Sequence, residues 1–296
     1  MNEILYTYPK FNISITMQRT IVFFVLVSYS LLVSAQYVPT PEDLDHFLET
    51  KTLVVKDKNP LNTFDAEIEE VMKTEWNITE YEIIPFSEFE EKRMNPDYSF
   101  LFLTTVVFEK DKLNAKYRFL NVSLGGDYFH LNMMPDLVSV PVAYTNVEDE
   151  SYNYKLGILV RFIQKHLRLI HAHPEIISTN VFKHYNDNMK DVKQKTLYLL
   201  EDEMANDVNS ASRIRKIYPY DFKLVTREDI RQAIAERDQD VVFLHKVGPE
   251  GTRLQARCYK VLIGASDASF YYFDYHMISD KKPDGFLSKD LKKISR

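Results

Sequence analysis

Residues 81–110 read YEIIPFSEFEEKRMNPDYSFLFLTTVVFEK, and residues 222–251 read FKLVTREDIRQAIAERDQDVVFLHKVGPEG. Placed side by side at an offset of 141 residues (Tyr81 onto Phe222), the two stretches share one rhythm. Each opens on a short β-rich run, enters a segment with apolar residues at helical spacing, and closes on an apolar run of strand length. The offset pairs Tyr81 with Phe222, Ile83 with Leu224, Phe89 with Ile230, Asp97 with Asp238, Phe102 with Phe243 and Val106 with Val247. Carried further, it pairs Glu109 with Glu250, Ala115 with Ala256 and Tyr117 with Cys258.

The same grammar extends in both directions. Upstream lie the twin openings Lys51-Thr52-Leu53-Val54-Val55 and Lys195-Thr196-Leu197-Tyr198-Leu199-Leu200, each followed by a helical pattern, over 65–76 and over 208–217. Downstream, residues 115–124 and 256–263 read as one more strand in each copy. The expected fold is α/β: two duplicated β-α-β-α-β-β lobes with mixed sheets, over residues 36–145 and 194–296, joined by a helical pair within 146–193. In that insert Leu156, Leu159, Val160, Ile163, Leu167 and Ile170 fall on one helical face, with Arg161, Lys165 and Arg168 opposite. Pro174 ends this helix, and a second is expected over 175–192.

Composition narrows the function. The 296 residues are 45% hydrophobic and 27% charged, which excludes wholesale disorder, and the net charge of −6 gives no footprint for nucleic acid. Seven glycines stand where average usage gives roughly 20. Neither a G-x-G-x-x-G nor a P-loop occurs, and Gly248-Pro249-Glu250-Gly251 suits a turn better than an anion cradle. Nothing in the sequence calls for a cofactor. The lone Cys258 allows no internal disulfide.

Residues 17–35, MQRTIVFFVLVSYSLLVSA, have the layout of a secretory signal peptide: one arginine, an apolar run from Ile21 to Val33, then Val33-Ser34-Ala35 before a cut at Gln36. The run is shorter than the roughly 20 residues a bilayer needs. Residues 1–16 precede a better start at Met17. The expectation is an exported protein, periplasmic or secreted, with no integral membrane segment once residues 1–35 are removed.

Chemistry-bearing residues are sparse. No G-x-S-x-G elbow and no H-E-x-x-H pair occurs, and Ser279-Asp280-Lys281-Lys282 lacks the companion motifs of S-x-x-K enzymes. Cys258, amid apolar and basic residues, reads as a packed thiol. Asp274 and His276, two apart on a strand, share a face and could pair as carboxylate and base, with His245 as a further weak catalytic candidate. The stretch Gly125-Gly126-Asp127-Tyr128-Phe129-His130 mirrors this aspartate, aromatic and histidine mixture in the first lobe. Either each lobe keeps a polar pocket at its sheet end, or both are aromatic edge strands with solvated acids. Tyr271, Tyr272 and Tyr275 are the candidate binding surface, since aromatics enrich contacts. His171 and His173 are weak metal candidates whose place near a helix C-terminus has a simpler cause in the helix dipole. Asn77-Ile-Thr and Asn121-Val-Ser are glycosylation sequons.

The segments Tyr81-Glu82 through Met94, Phe243 through Gly251, and Phe273-Asp274-Tyr275-His276-Met277-Ile278-Ser279-Asp280 resemble a family of secreted proteins from Bacteroidota. That resemblance covers most of the mature chain and implies export without implying an activity. The lobe order is also similar, at the level of fold alone, to envelope assembly domains such as the TolB N-terminal domain or the CsgG periplasmic domain. The expected function is a non-catalytic secreted or periplasmic binding or assembly module. It would engage an envelope protein or small ligand through the inter-lobe cleft or an exposed sheet edge. The alternative is an envelope hydrolase with its site near Asp274 and His276.

Overall fold

A computed structural model describes residues 37–58, 63–108, 114–178, 181–250 and 255–296. The expected signal peptide, residues 1–35, lies outside the described residues. Helix α1 (Pro41–Glu49) starts where Thr40 and Asp43 cap each other: the Asp43 amide donates to Thr40 Oγ1 at 3.2 Å, and the Thr40 amide donates to Asp43 Oδ2 at 2.8 Å. Then follow β1 (Lys51–Val55), α2 (Phe64–Glu75), β2 (Tyr81–Ile84), α3 (Phe86–Lys92), β3 (Tyr98–Val107), β4 (Lys116–Leu124) and β5 (Asp136–Tyr144). They form a sheet of order β2-β1-β3-β4-β5, in which β1 runs parallel to both neighbours and the other pairs are antiparallel.

The insert supplies α4 (Leu156–Ala172), α5 (Glu175–Ser178) and α6 (Val181–Asn186), and a 3-10 stretch Asp187–Gln194 leads into the second lobe. There β6 (Thr196–Leu199), α7 (Ala211–Arg215), β7 (Phe222–Leu224), α8 (Arg227–Ala235), β8 (Val241–Val247), β9 (Arg257–Gly264), β10 (Phe270–Met277) and α9 (Ser288–Ile294) complete the chain. The second sheet has the order β7-β6-β8-β9-β10 and the same parallel and antiparallel senses as the first. The fold is therefore mixed α/β with two five-stranded mixed sheets, each carrying one strand more than the expected lobe.

Three local expectations change. Strand register pairs Val106 with Tyr117 and Val247 with Tyr259. The second hairpin is longer by one residue, so Tyr259 rather than Cys258 stands at the position of Tyr117. The expected helix over 175–192 is broken into α5, α6 and the 3-10 stretch; where that stretch begins, the Asn186 and Asn188 side chains bond the backbone of β10 at Phe273 and Phe270 instead of facing solvent along a continuous helix. Residues 125–130 are a loop, not an edge strand: a Cβ at Gly125 would strike the Asn95 carbonyl, and Gly126 has φ +154°.

Helix α4 is the hub. All six residues of its predicted apolar face are buried, together with Ile158 and Phe162. They join a single core cluster with Val54, Leu101 and Leu120 of the first sheet and Val241, Phe243, Val261 and Ile263 of the second. The basic stripe ties both lobes: Arg161 donates to Ser266 O and Ile234 O, each at 3.1 Å, and its Nε lies 3.4 Å from Glu75. Burial against α4 places the odd-numbered residues of β8 on the shared core, which leaves its even-numbered residues to face α7 and α9. Among the described residues no helix is long and apolar enough to cross a membrane.

Candidate functional site

The ionisable residues of the second sheet gather on the face beneath α9. Register places Lys246 opposite Lys260, and Lys260 opposite Asp274, in one row across β8, β9 and β10. Two adjacent lysines repel each other unless acids answer them. Lys246 Nζ reaches Asp284 Oδ2 at 3.0 Å, and Lys260 Nζ reaches both Asp290 oxygens at 2.8 Å. Asp274 in turn receives Lys293 Nζ at 2.7 Å and the Tyr272 hydroxyl at 3.1 Å. The Tyr272 hydroxyl also meets Asp290 at 2.7 Å. Three ammonium groups thus face three carboxylates, each bound within the protein.

Burial opposes ionisation of Asp274, but Lys293 and Lys260 outweigh it and hold its pKa below the usual carboxylate range. His276 lies on the same face, as the strand spacing requires, yet it does not pair with Asp274. Its Nε2–H donates to Pro283 O at 2.9 Å, and burial, then Lys260, pull its pKa below the ordinary value. Directly opposite His276, on β9, sits Cys258. That thiol is fully buried, touches Gly285 O at 3.7 Å, and is pushed far above its ordinary pKa by burial and by Asp284. A neutral thiol beside a neutral imidazole, both enclosed, is a packed pair rather than an activated nucleophile.

His245 is on the opposite face of β8. Its Nε2–H donates to Pro141 O of β5 at 2.9 Å, and burial with Lys155 lowers its pKa to about 3. Asp274, His276 and His245 therefore do not converge on one substrate position. The junction near His245, between β5 and β8, is lined by Val142, Tyr144, Tyr152, Lys155 and Gly248 and has a free volume of about 10 Å³, room for a single water. Lys155 is buried there with Nζ 3.3 Å from Glu203; burial disfavours the ammonium, but Glu203 and the Tyr154 hydroxyl together outweigh it and hold its pKa above the ordinary value.

The candidate tyrosines separate. Tyr272 is buried beside the charged row, opposite Leu262, and Tyr271 is buried with its hydroxyl donating to Asp267 Oδ2 at 3.3 Å. Tyr275 alone of the three reaches the surface, under the Arg257 guanidinium at 5.3 Å. The adjoining edge of β10 is partly closed: Asn186 Nδ2 donates to Phe273 O at 3.0 Å, while Phe273 N donates to Asn186 Oδ1 at 2.7 Å. His171 Nε2 meets Asp45 at 2.9 Å and His173 Nδ1 meets Glu175 at 3.2 Å, so the two imidazoles serve different carboxylates. Among the described residues no group of three or more His, Cys, Asp or Glu side chains is placed to hold a metal ion. Of the two sequons, Asn121 is buried with its amide donating to Thr104 Oγ1 at 2.7 Å, whereas Asn77 is exposed.

Sequence reasoning missed Asp284, Asp290 and Asn186, which are distant in the chain from the residues they serve. It also missed the exposure of Phe129, Leu131 and Met133 on the loop between β4 and β5. The Gly125-Gly126 pair and Pro135 were the available signal, since both mark a loop. Comparison with known proteins gives no match: no family model, no curated protein and no solved structure matches this chain.

Proposed function

We propose that this protein is a non-catalytic binding or assembly module, exported to the periplasm or beyond, that engages an envelope protein. The observation carrying this reading is the engagement of the ionisable candidates within the fold. Asp274 is bound by Lys293 and Tyr272, His276 by Pro283 O and His245 by Pro141 O, with the last on a different face of the sheet. A hydrolase needs a base and its orienting group around one reacting atom, and these residues serve packing instead. The apolar run at Ile21 to Val33 supports export.

The test is cross-linking in intact cells followed by affinity capture, with the captured protein then purified and titrated against the full chain. Direct binding to a reproducible, near-stoichiometric partner is expected. Turnover of an ester, glycoside or peptide substrate by the purified protein, abolished by Asp274→Asn while thermal stability is retained, would overturn the reading in favour of a hydrolase.

A further inference from the structure

Phe129, Leu131 and Met133 expose 80%, 42% and 55% of their surface on the loop between β4 and β5. Large apolar side chains grouped this way mark a contact surface. The loop is anchored from below. Gly126 N donates to Arg93 O at 2.9 Å, Arg93 Nη1 donates to Tyr128 O at 2.7 Å, and Met134 is buried against Phe100 and Phe102. The exposed tip therefore stands on a fixed base, which lowers the ordering cost of binding.

Its surroundings are acidic. Asp127 is exposed on the loop itself, and Asp43 acts on the Tyr128 hydroxyl, whose pKa rises by burial and then by that charge. Glu90 lies 2.8 Å from Arg93, the cation beneath the loop, which is itself buried. Helix α1, which contributes Asp43, carries Glu42, Asp43, Asp45 and Glu49 and no lysine or arginine. The loop from Gly125 to Pro135 has no lysine or arginine either.

We infer that the β4–β5 loop is the docking surface of this protein, inserting Phe129, Leu131 and Met133 into an apolar pocket of a partner protein rimmed by lysine and arginine. The inference rests on the binding-module reading above and names its surface and partner chemistry. The acidic surround selects the occupant: it repels a second copy presenting the same loop, and it repels an anionic lipid surface.

A photo-cross-linking residue placed at position 129 of the full chain, with position 228 on exposed α8 as the control, tests this. The expected result is a specific adduct from 129 and none from 228. The captured protein, once purified, should bind the unmodified chain at least tenfold more tightly than Phe129→Ser/Met133→Ser, and tenfold more tightly at 50 than at 500 mM salt. A partner that binds equally well to the double variant overturns the loop assignment while leaving the binding-module reading intact. No partner from any position overturns both. Salt-independent binding, a concentration-dependent dimer abolished by Phe129→Ser, or loop-dependent binding to phosphatidylcholine vesicles each overturns the basic-rimmed partner.

Discussion

Tyr117 and Tyr259 occupy equivalent positions in the two sheets and meet edge to face, with ring centroids 5.6 Å apart. Each stands opposite a valine near the end of a central strand, Val106 in one lobe and Val247 in the other. The Tyr117 hydroxyl donates to Arg257 O at 3.1 Å and accepts from Arg257 N at 2.5 Å, so one side chain satisfies both backbone groups of a residue in the other lobe. Tyr117→Phe keeps the ring and removes both bonds. A loss of about 1–3 kcal/mol is expected, read from urea denaturation; an unchanged midpoint would show that solvent replaces the hydroxyl.

Asp290 joins helix α9 to the sheet through Lys260 and Tyr272, and caps its own helix by accepting from the Leu287 amide at 2.9 Å. Asp290→Asn leaves a buried ammonium without its counter-charge, and a destabilisation of about 3–5 kcal/mol is expected. Lys260→Met in the same chain should recover part of that loss. A double-mutant cycle without coupling would remove the ion pair from the account of how α9 is held.

Stability should fall in mild acid through His245. Folded, this imidazole is neutral and its pKa is about 3; in the unfolded chain it titrates near ~6.5. Between those values the unfolded state binds a proton that the folded state refuses. The contribution is therefore complete above pH ~6.5 and drains as pH falls toward the folded value, at up to ~1.4 kcal/mol per pH unit. His245→Gln, which can still donate to Pro141 O, should flatten the stability slope by that amount between pH 6.5 and 4.5. Parallel curves for the two proteins would contradict it.

Asn186 imitates a neighbouring strand at the β10 edge, donating to Phe273 O and accepting from Phe273 N. Asn186→Ala uncovers both groups beside the exposed Tyr275 and Met277. Edge strands so exposed pair with other chains. Sedimentation velocity at rising protein concentration should show self-association that the parent chain lacks, with a loss of about 1 kcal/mol in monomer stability.

Cys258 should behave as an inert thiol. Because it is buried and held protonated, its reaction with a disulfide reagent should be limited by unfolding and should accelerate with urea in step with loss of structure. Fast labelling in the native state would show a route to the thiol that the packing does not provide.

How much of this was legible in the sequence depends on the range of the interaction. The stretches at 81–110 and 222–251 carried the fold class, because alternating burial on a strand and the spacing of apolar residues on a helix are written into local order. The apolar face of α4 was readable for the same reason, and all six residues read on it are buried. The Asp274 and His276 pair was placed correctly on one strand face, since that too is a local periodicity.

What those residues do on that face was decided by tertiary structure. Asp274 is taken by Lys293, His276 by Pro283 O, and Lys260 by Asp290, all supplied by the chain's last turns and helix. His245 differs from Lys246 by one residue and so looks to the opposite side of the sheet, into the core shared with the first lobe. Phe129 belongs to a stretch the sequence leaves open between a polar pocket and an aromatic edge strand; only packing shows it standing in solvent while Phe100 and Phe102, equally apolar, fill the interior. Sequence alone determined the fold class and most of the strands and helices of the two repeated stretches, with their apolar faces, because those preferences act between near neighbours; α1, β5 and α9 were not read from it. Which charges neutralise one another, and which apolar side chains are left uncovered, depends on contacts between residues far apart in the chain, and only the assembled sheets and helices fix those.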